Sequence, residues 1–286
     1  MRVCDLGSHI RLEDTDFFDI IQTFDCGQTF RFEAISENTV EGVAHGRLLR
    51  LTQDGSCVII NCTLDEFEGV WKKYLSLDRD YSATNSFFTN GDDEVLKKAA
   101  VYGKGIRILR QDPWETLCSF IISQNNNIPR IKKIISALSQ SFGEPFSFED
   151  KTYYAFPSAR ALADAGQERI FDLKTGFRAK YIVDAAQKVS SGELDLDRIF
   201  ALPTAEAMGE LVKIKGVGPK VASCALLFGF DKTDAFPVDV WVKRVFNKYY
   251  PDGFDPLSFG ENAGIAQQYL FYYERWQNIS QSKGKE

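Results

Sequence analysis

The sequence is poor in histidine, with only two, His9 and His45, among its 286 residues. This scarcity nearly excludes a histidine-based catalytic triad and a histidine-rich zinc site. The six cysteines have no disulfide-framework spacing, and the polar, acidic start of the chain predicts no export or transit signal, so we expect reduced thiols. The best apolar run, Ala222–Phe230, is too short to span a membrane.

The composition is that of a folded protein with an uneven charge. Hydrophobic residues make up 44% of the chain and charged residues 26%, which is ordinary for soluble globular proteins. The net charge of −6, taken alone, argues against a nucleic-acid partner. The acidic excess belongs to residues 1–100, which carry 18 acidic and 10 basic side chains. Residues 101–140 carry two acidic and six basic ones, so they could supply the local basic face that phosphate binding requires.

Strand patterns precede helical patterns along the chain. Residues 29–62 alternate between apolar and polar side chains and contain an Asp-Gly turn signal, which predicts strands. From Thr63 onward we predict helices throughout: Thr63 and Glu66 form a capping box, Asp112 opens an apolar helix and Pro129 opens the next. Further helical patterns cover about 177–190, 204–213, 219–229, 239–249 and 261–275.

These patterns predict an α+β fold, with an N-terminal antiparallel β-rich domain followed by a mainly α-helical bulk. We place the β-rich domain, with flanking helices, at residues 1–103 and the helical region at residues 104–286. The helical region contains a helix-hairpin-helix motif at 211–230 and could divide into two helical subdomains.

The hairpin segment, LVKIKGVGPKVASCALLFGF, predicts two helices joined by a tight turn. Gly216 and Gly218 allow close approach of the backbone, and Pro219 suits the first position of the second helix. Exposed N–H groups beside a helix N-terminus form an anion site suited to a DNA phosphate. A plain structural turn is the alternative, which the glycine pair alone would favour.

Lys220 lies in the first turn of that second helix. The positive end of the helix dipole disfavours a protonated amine there, and only a neutral amine can act as a nucleophile. A lysine whose aliphatic stem packs while its amine stays in water is the alternative interpretation.

Asp239 follows Pro237 and precedes an apolar helix, a pattern typical of an N-cap. The capping role is favoured from sequence alone, but it is compatible with catalysis. A carboxylate bonded to helix N–H groups could also stabilise positive charge developing on a deoxyribose C1′.

The glycine pair, Lys220 and Asp239, which stands in a Pro-Val-Asp sequence 19 residues later, resemble the helix-hairpin-helix DNA glycosylase superfamily. The similarity extends over nearly the whole chain to the 8-oxoguanine DNA glycosylase family. Six ordered blocks at compatible spacing make it highly specific: CGQTFRF (26–32), QDPWETLCSFIISQNNNIPRI (111–131), GFRAKYI (176–182), IKGVGPKVASC (214–224), FPVDVWVKRV (236–245) and AGIAQQYLF (263–271).

The resemblance implies catalytic roles for two residues. Lys220 would displace the damaged base and form a Schiff base with the sugar. Asp239 would assist departure of the base and the later elimination. The hairpin backbone at Gly216 and Gly218 would bind DNA phosphate.

The resemblance also implies a pocket for a flipped purine. The backbone carbonyl of Gly27 would accept a hydrogen bond from N7–H of 8-oxoguanine, which normal guanine lacks. Gln267 would read the Watson–Crick edge of the purine, and Phe271 and Cys224 would sandwich it. Gln267 and Phe271 are four residues apart, so one helix face can present both.

A third implied group faces the DNA left behind. Asn125, Arg130 and Arg178 would read the cytosine opposite the lesion, and Phe177 would fill the gap, because extruding a base loses pairing and stacking. Each has an alternative: an asparagine run is commonly a cap and turn, Phe177 could be core, and Arg178 could be solvated.

Two features depart from relatives. Trp241 occupies a position where the family pattern has a histidine beside a DNA phosphate. Only Cys224 lies beyond residue 118, so the four-cysteine iron–sulfur motif of some superfamily members is absent, and no cofactor or metal is expected.

We therefore predict a monomeric, bifunctional DNA glycosylase/AP lyase. Its partner would be double-stranded DNA containing 8-oxoguanine, preferably opposite cytosine, and not a membrane. Its location would be the cytoplasm and nucleoid in a bacterium, or the nucleus in a eukaryote. A monofunctional glycosylase for alkylated bases and a non-catalytic helix-hairpin-helix DNA-binding protein are the two alternatives.

Overall fold

The N-terminal part of the computed structural model is a six-stranded antiparallel sheet in the order β1-β2-β6-β5-β4-β3. The structure describes residues 1–283, with the side chains of the last helix described as far as residue 278. The strands are β1 Arg2–Asp5, β2 Ile10–Glu13, β3 Phe32–Ser36, β4 Thr39–Ala44, β5 Arg47–Asp54 and β6 Cys57–Ile60. The last four lie in the predicted strand region, whereas β1 and β2 precede it.

One face of this sheet is buried under short helices. Leu49 and Leu51 alternate along β5 and are fully buried, and Phe67 and Trp71 pack into the same core. The covering elements are α1 Ile20–Asp25, α2 Leu64–Glu66, a π-helical turn Phe67–Trp71, and α3 Lys72–Tyr74. The predicted capping box is confirmed, because the side chains of Thr63 and Glu66 each accept the other's backbone N–H.

Helices make up most of the remaining chain, which confirms the predicted α+β class. Within residues 1–283, no helix is both long and apolar enough to cross a bilayer. The helices are α4 Tyr81–Thr89, α5 Glu94–Tyr102, α6 Pro113–Ser123, α7 Ile128–Phe142, α8 Ala159–Ile170, α9 Ala179–Ser190, α10 Leu196–Ala201, α11 Thr204–Leu211, α12 Pro219–Gly229, α13 Val240–Tyr249 and α14 Ala263–Lys283.

A second, two-stranded sheet interrupts the helical region, so the prediction of helices throughout is wrong there. Strands β7 Pro145–Phe148 and β8 Lys151–Tyr154 form an antiparallel hairpin. Glu149 and Asp150 both have positive φ, of 46° and 60°, which is the backbone of a two-residue hairpin turn. The paired rings of Phe146 and Tyr153 stack with centroids 5.8 Å apart. This cross-strand packing offsets the absence of glycine in the turn.

Helix α6 lies in the centre of the helical core. It is buried on nearly all sides and approaches α12 so closely that a Cβ on Gly229 would lie 2.9 Å from Thr116. Helices α4, α5 and α14 pack into this same core, although α4 and α5 precede residue 104. The division at residues 103 and 104 stays a prediction. The close α6–α12 contact places the N-terminus of α12 beside the loop that follows α6.

Candidate active site

A cavity of about 770 Å³ opens between the hairpin, the loop after α6, the segment around residue 27 and helix α14. Its volume falls in the ~300–1,000 Å³ range of ligand pockets. Nine of the 12 predicted site residues line it. They are Gly27, Asn125, Phe177, Gly218, Lys220, Cys224, Asp239, Gln267 and Phe271. The other three, Arg130, Arg178 and Gly216, lie outside its lining.

The hairpin is a tight turn whose two glycines serve different purposes. Gly216 has φ +78°, and a Cβ there would lie 2.5 Å from the ring of Tyr181 on α9. The carboxylate of Asp184, also on α9, accepts the backbone N–H of Lys215 at 2.8 Å. Gly218 has an ordinary φ of −99°, and a Cβ there would meet nothing within 4 Å. Gly216 is therefore required by the protein's own packing, whereas Gly218 keeps open the space outside the turn.

The N-terminus of α12 has backbone N–H groups that can bind an acceptor from another molecule. No side chain caps it, since Gly218 occupies the N-cap position and Pro219 follows. The first N–H groups of a helix have no intrahelical partner, and the helix dipole makes this end positive. These groups can bind a phosphate oxygen.

Lys220 lies in the wall of the cavity. Its side chain is half-buried, and Nζ stands 5.4 Å from the centroid of the Phe120 ring. Phe120 stacks in turn on Phe228, with centroids 5.4 Å apart. The amine therefore lies against an aromatic surface, which replaces part of the water that would otherwise surround it.

Asp239 and Cys224 complete the group around Lys220. Asp239 Oδ1 accepts the N–H groups of Trp241 and Val242 at 2.9 Å each, which confirms the predicted N-cap and leaves Oδ2 for another partner. Burial raises the pKa of the Cys224 thiol to about 11, against the opposing influence of the Lys220 amine. The thiol is therefore neutral at physiological pH, and the charges of Lys220 and Asp239 both act on it.

Three predicted purine contacts, Gly27, Gln267 and Phe271, also line the cavity. Gln267 is 4% exposed, and within residues 1–283 no donor reaches its Oε1. A buried acceptor without a partner is costly and points to a ligand. Gly27 has φ +79°, and its Cα faces the Phe271 ring, which a Cβ would approach to 3.5 Å.

Two residues predicted to face the DNA strand opposite the lesion differ in their accessibility: Arg178 is buried and hydrogen-bonded, whereas Phe177 is exposed. Arg178 is 2% exposed, and its guanidinium donates to the carbonyls of Gln124 and Asn125. Burial, with the nearby charge of Arg130, lowers the pKa of Arg178. Phe177 is 47% exposed at the mouth of the cavity, with the Arg178 guanidinium 4.4 Å from its ring centroid. Arg178 could read a base only after exchanging its carbonyl partners, so its predicted role stays a prediction.

Several residues in contact with the site escaped sequence reasoning. Tyr181 supports the hairpin and also packs edge-on against Phe177 at 6.0 Å. Its spacing of four from Phe177 is the signal that could have identified it. Gln268 donates to the carbonyl of Cys26 at 2.6 Å, and no local pattern indicates that contact across 242 residues. Trp241, which the sequence indicated only as a departure from the family pattern, lines the cavity, with Arg244 4.6 Å from its ring centroid.

No metal site is evident in the described part of the chain. No group of three or more His, Cys, Asp or Glu side chains comes together within residues 1–283.

The helical fold and the hairpin cavity define a base excision repair glycosylase of the helix-hairpin-helix superfamily. Residues 118–255 match the family model for HhH-GPD superfamily base excision DNA repair proteins. Residues 9–117 match the model for the N-terminal domain of 8-oxoguanine DNA glycosylase.

Comparison with individual proteins indicates the same family as these two family models. The N-glycosylase/DNA lyase OGG1 of Arabidopsis thaliana is 32% identical, over 88% of this chain and 76% of its own length. The solved 8-oxoguanine glycosylase/lyase of Clostridium acetobutylicum, in complex with DNA containing cytosine opposite 8-oxoG, is 39% identical with a TM-score of 0.92, covering 97% of this chain and 99% of its own. The 3-methyladenine DNA-glycosylase of Archaeoglobus fulgidus, at 20% identity and a TM-score of 0.70 over 96% and 99%, shares the fold.

The chain belongs to the 8-oxoguanine DNA glycosylase family. The family assignment and the enzyme class predicted from the sequence, a DNA glycosylase and lyase, are thereby confirmed.

Proposed function

We propose that this enzyme excises 8-oxoguanine from duplex DNA, preferably opposite cytosine, and then cleaves the strand at the resulting site. The observation that carries the proposal is the position of Lys220. Its half-buried amine shares a cavity of about 770 Å³ with Asp239 and with Gln267, whose Oε1 accepts no hydrogen bond from the described residues. A nucleophile, a carboxylate and a buried acceptor in one ligand-sized cavity are what excision of a flipped base requires.

The reaction would proceed in three stages. The hairpin N–H groups would bind a phosphate, and the lesion would enter the cavity. The neutral Lys220 amine would attack C1′ as the glycosidic bond breaks, and the purine would depart with that electron pair. Asp239 would stabilise the positive charge that develops on the sugar. Opening of the sugar ring would give an imine on Lys220, and loss of a C2′ proton would then expel the 3′ phosphate.

Purine selection would depend on one acceptor and one amide. 8-Oxoguanine carries a hydrogen on N7, which the Gly27 carbonyl could accept, whereas guanine would present a lone pair to it. The buried Gln267 side chain would bind the Watson–Crick edge. Phe271 on α14 and Cys224 on α12, which both line the cavity, would hold the two faces of the base.

Preference for cytosine would come from the rim of the cavity. Asn125, Arg130 and Arg178 lie in or beside the loop between α6 and α7, next to the exposed Phe177 ring. Phe177 would replace the extruded base in the stack. The Arg130 guanidinium would meet the acceptors of the estranged cytosine, and the Arg178 guanidinium would do so after releasing the Gln124 and Asn125 carbonyls.

Borohydride trapping tests this function against its alternatives. Wild-type protein and Lys220→Gln would each be incubated with an 8-oxoguanine:cytosine duplex, with and without borohydride, and base release and covalent adduct would be measured. We expect release and trapping for wild type, and DNA binding without trapping for Lys220→Gln. Base release without trapping by wild type would indicate a monofunctional glycosylase. Binding with neither release nor trapping would indicate a non-catalytic DNA-binding protein.

A further inference from the structure

The backbone carbonyls of three consecutive residues, Cys26, Gly27 and Gln28, differ in their hydrogen bonding, and the first two of these residues line the cavity. The Cys26 carbonyl accepts a hydrogen bond from Gln268 Nε2 at 2.6 Å, and the Gln28 carbonyl accepts one from Gln111 Nε2 at 2.7 Å. Between them, the Gly27 carbonyl receives no donor from residues 1–283. Two glutamine amides from distant parts of the chain therefore flank the one carbonyl that stays available.

The side chain of Gln28 fixes the segment from its buried side. Gln28 is 1% exposed, and its amide donates to the carbonyls of Thr23 and Arg107 at 2.8 Å each. Its Oε1 accepts the N–H of Leu109, also at 2.8 Å. The backbone around Gly27 is thus held by hydrogen bonds to α1 and to residues 107–109.

The Cys26 thiol lies on the buried side of the same segment. It is fully buried, donates to the Thr23 carbonyl at 3.1 Å and accepts a hydrogen bond from Gln28 Nε2 at 3.3 Å. Burial raises the pKa of Cys26 to about 12, so the thiol is neutral at physiological pH. Gly27 itself lines the cavity, and its carbonyl is the one of the three that accepts no hydrogen bond from residues 1–283.

Gly27 is also the residue at which this arrangement could most easily fail. It has φ +79° and no side chain to limit rotation of the adjoining peptide. A flip of the Gly27–Gln28 peptide would present an N–H where the carbonyl stands. An N–H donor would bind the N7 lone pair of normal guanine and repel the N7–H of the oxidised base.

We propose that Gln268 and Gln111 are positioning residues that prevent this flip and so keep the Gly27 carbonyl as the acceptor that selects the oxidised purine. The proposal rests on the proposed function and adds to it the groups that maintain its specificity. Neither glutamine needs to touch the sugar or the Lys220 amine.

The test compares two DNA substrates, because only one of them needs base recognition. Gln268→Leu and Gln111→Leu would be assayed in single turnover for excision of 8-oxoguanine opposite cytosine. The same proteins would be assayed for borohydride trapping on a preformed abasic site, where no base is present. Since Gln268→Leu removes a buried hydrogen bond and Gln111→Leu a partly buried one, we expect up to about a tenfold loss of excision, with trapping within about twofold of wild type.

Gln53→Leu is the matched control, because Gln53 makes the same kind of bond and does not line the cavity. Its Nε2 donates to the Phe18 carbonyl at 2.8 Å in the sheet domain, and we expect both activities to persist. Unchanged excision by Gln268→Leu and Gln111→Leu, or an equal loss on both substrates, would overturn the proposal. If Gln268→Leu does not fold, Gln111→Leu decides by the same criterion. Failure of wild type on both substrates would refute the proposed function instead.

Discussion

The two hairpin glycines provide a matched pair of substitutions with opposite expected effects. Alanine at position 216 would hold a left-handed φ, which costs about 1–2 kcal/mol. Its Cβ would also lie 2.5 Å from the Tyr181 ring, and overpacking of this kind costs about 1–3 kcal/mol. We therefore expect Gly216→Ala to lower the free energy of unfolding by roughly 2–5 kcal/mol.

Alanine at position 218 meets neither obstacle. The φ of −99° suits any residue, and a Cβ would have open space around it, so the cost is that of a poorer N-cap, about 1 kcal/mol or less. That open space is where we expect a DNA phosphate to approach the backbone. Gly218→Ala should therefore weaken DNA binding while leaving the fold nearly intact.

Thermal unfolding and DNA affinity, measured on the same preparations, separate these effects. Gly216→Ala should lower the melting temperature by several degrees, and Gly218→Ala by much less. Gly218→Ala should nevertheless lose affinity for duplex DNA. A Gly218→Ala protein that binds DNA as tightly as wild type would refute the assignment of the phosphate to this turn.

Three further predictions concern the rim of the cavity, the charge of the DNA-binding face and the carboxyl group of Glu115. Arg130→Ala should lose discrimination between cytosine and adenine opposite the lesion more than it loses activity; an unchanged ratio of the two excision rates would remove Arg130 from that role. DNA affinity should fall steeply with added salt despite the net charge of −6, and a flat response in a titration would contradict a basic binding face. Burial raises the pKa of Glu115 to about 7, with the Arg31 guanidinium opposing it. Because the folded state holds this proton more tightly than the unfolded state, stability should fall as pH rises from about 4.5 to 7. Glu115→Gln should flatten that part of a melting-temperature profile; an unaltered slope would show that another group is responsible.

Local signals predicted much of the architecture, because capping and helical periodicity depend on neighbouring residues. The capping box at Thr63 and the N-caps Asp112 and Asp239 are all present. The β7–β8 hairpin was missed because its turn uses Glu149 and Asp150 in place of glycine. Strands β1 and β2 lie outside the predicted strand region.

In the candidate site, too, some contacts could be predicted from the sequence and others could not. Lys220 and Cys224 are one helical turn apart, so their proximity could be predicted from spacing alone. The arrival of Gln267 at the same cavity required the resemblance to a family. Gln268 could not be identified in either way. Its partner, the Cys26 carbonyl, lies 242 residues away, and a backbone carbonyl is present in every residue, so no sequence pattern indicates the bond. The burial of Arg178 likewise depends on carbonyls of the loop after α6.

The whole proposed reaction depends on a bond between the Lys220 nitrogen and the sugar carbon. Mass spectrometric mapping of the borohydride-trapped complex tests it most directly, since reduction fixes the imine to the lysine that formed it. We expect a single adduct, on the peptide that contains Lys220. An adduct on any other lysine, or none on an enzyme that still releases the base, would contradict it.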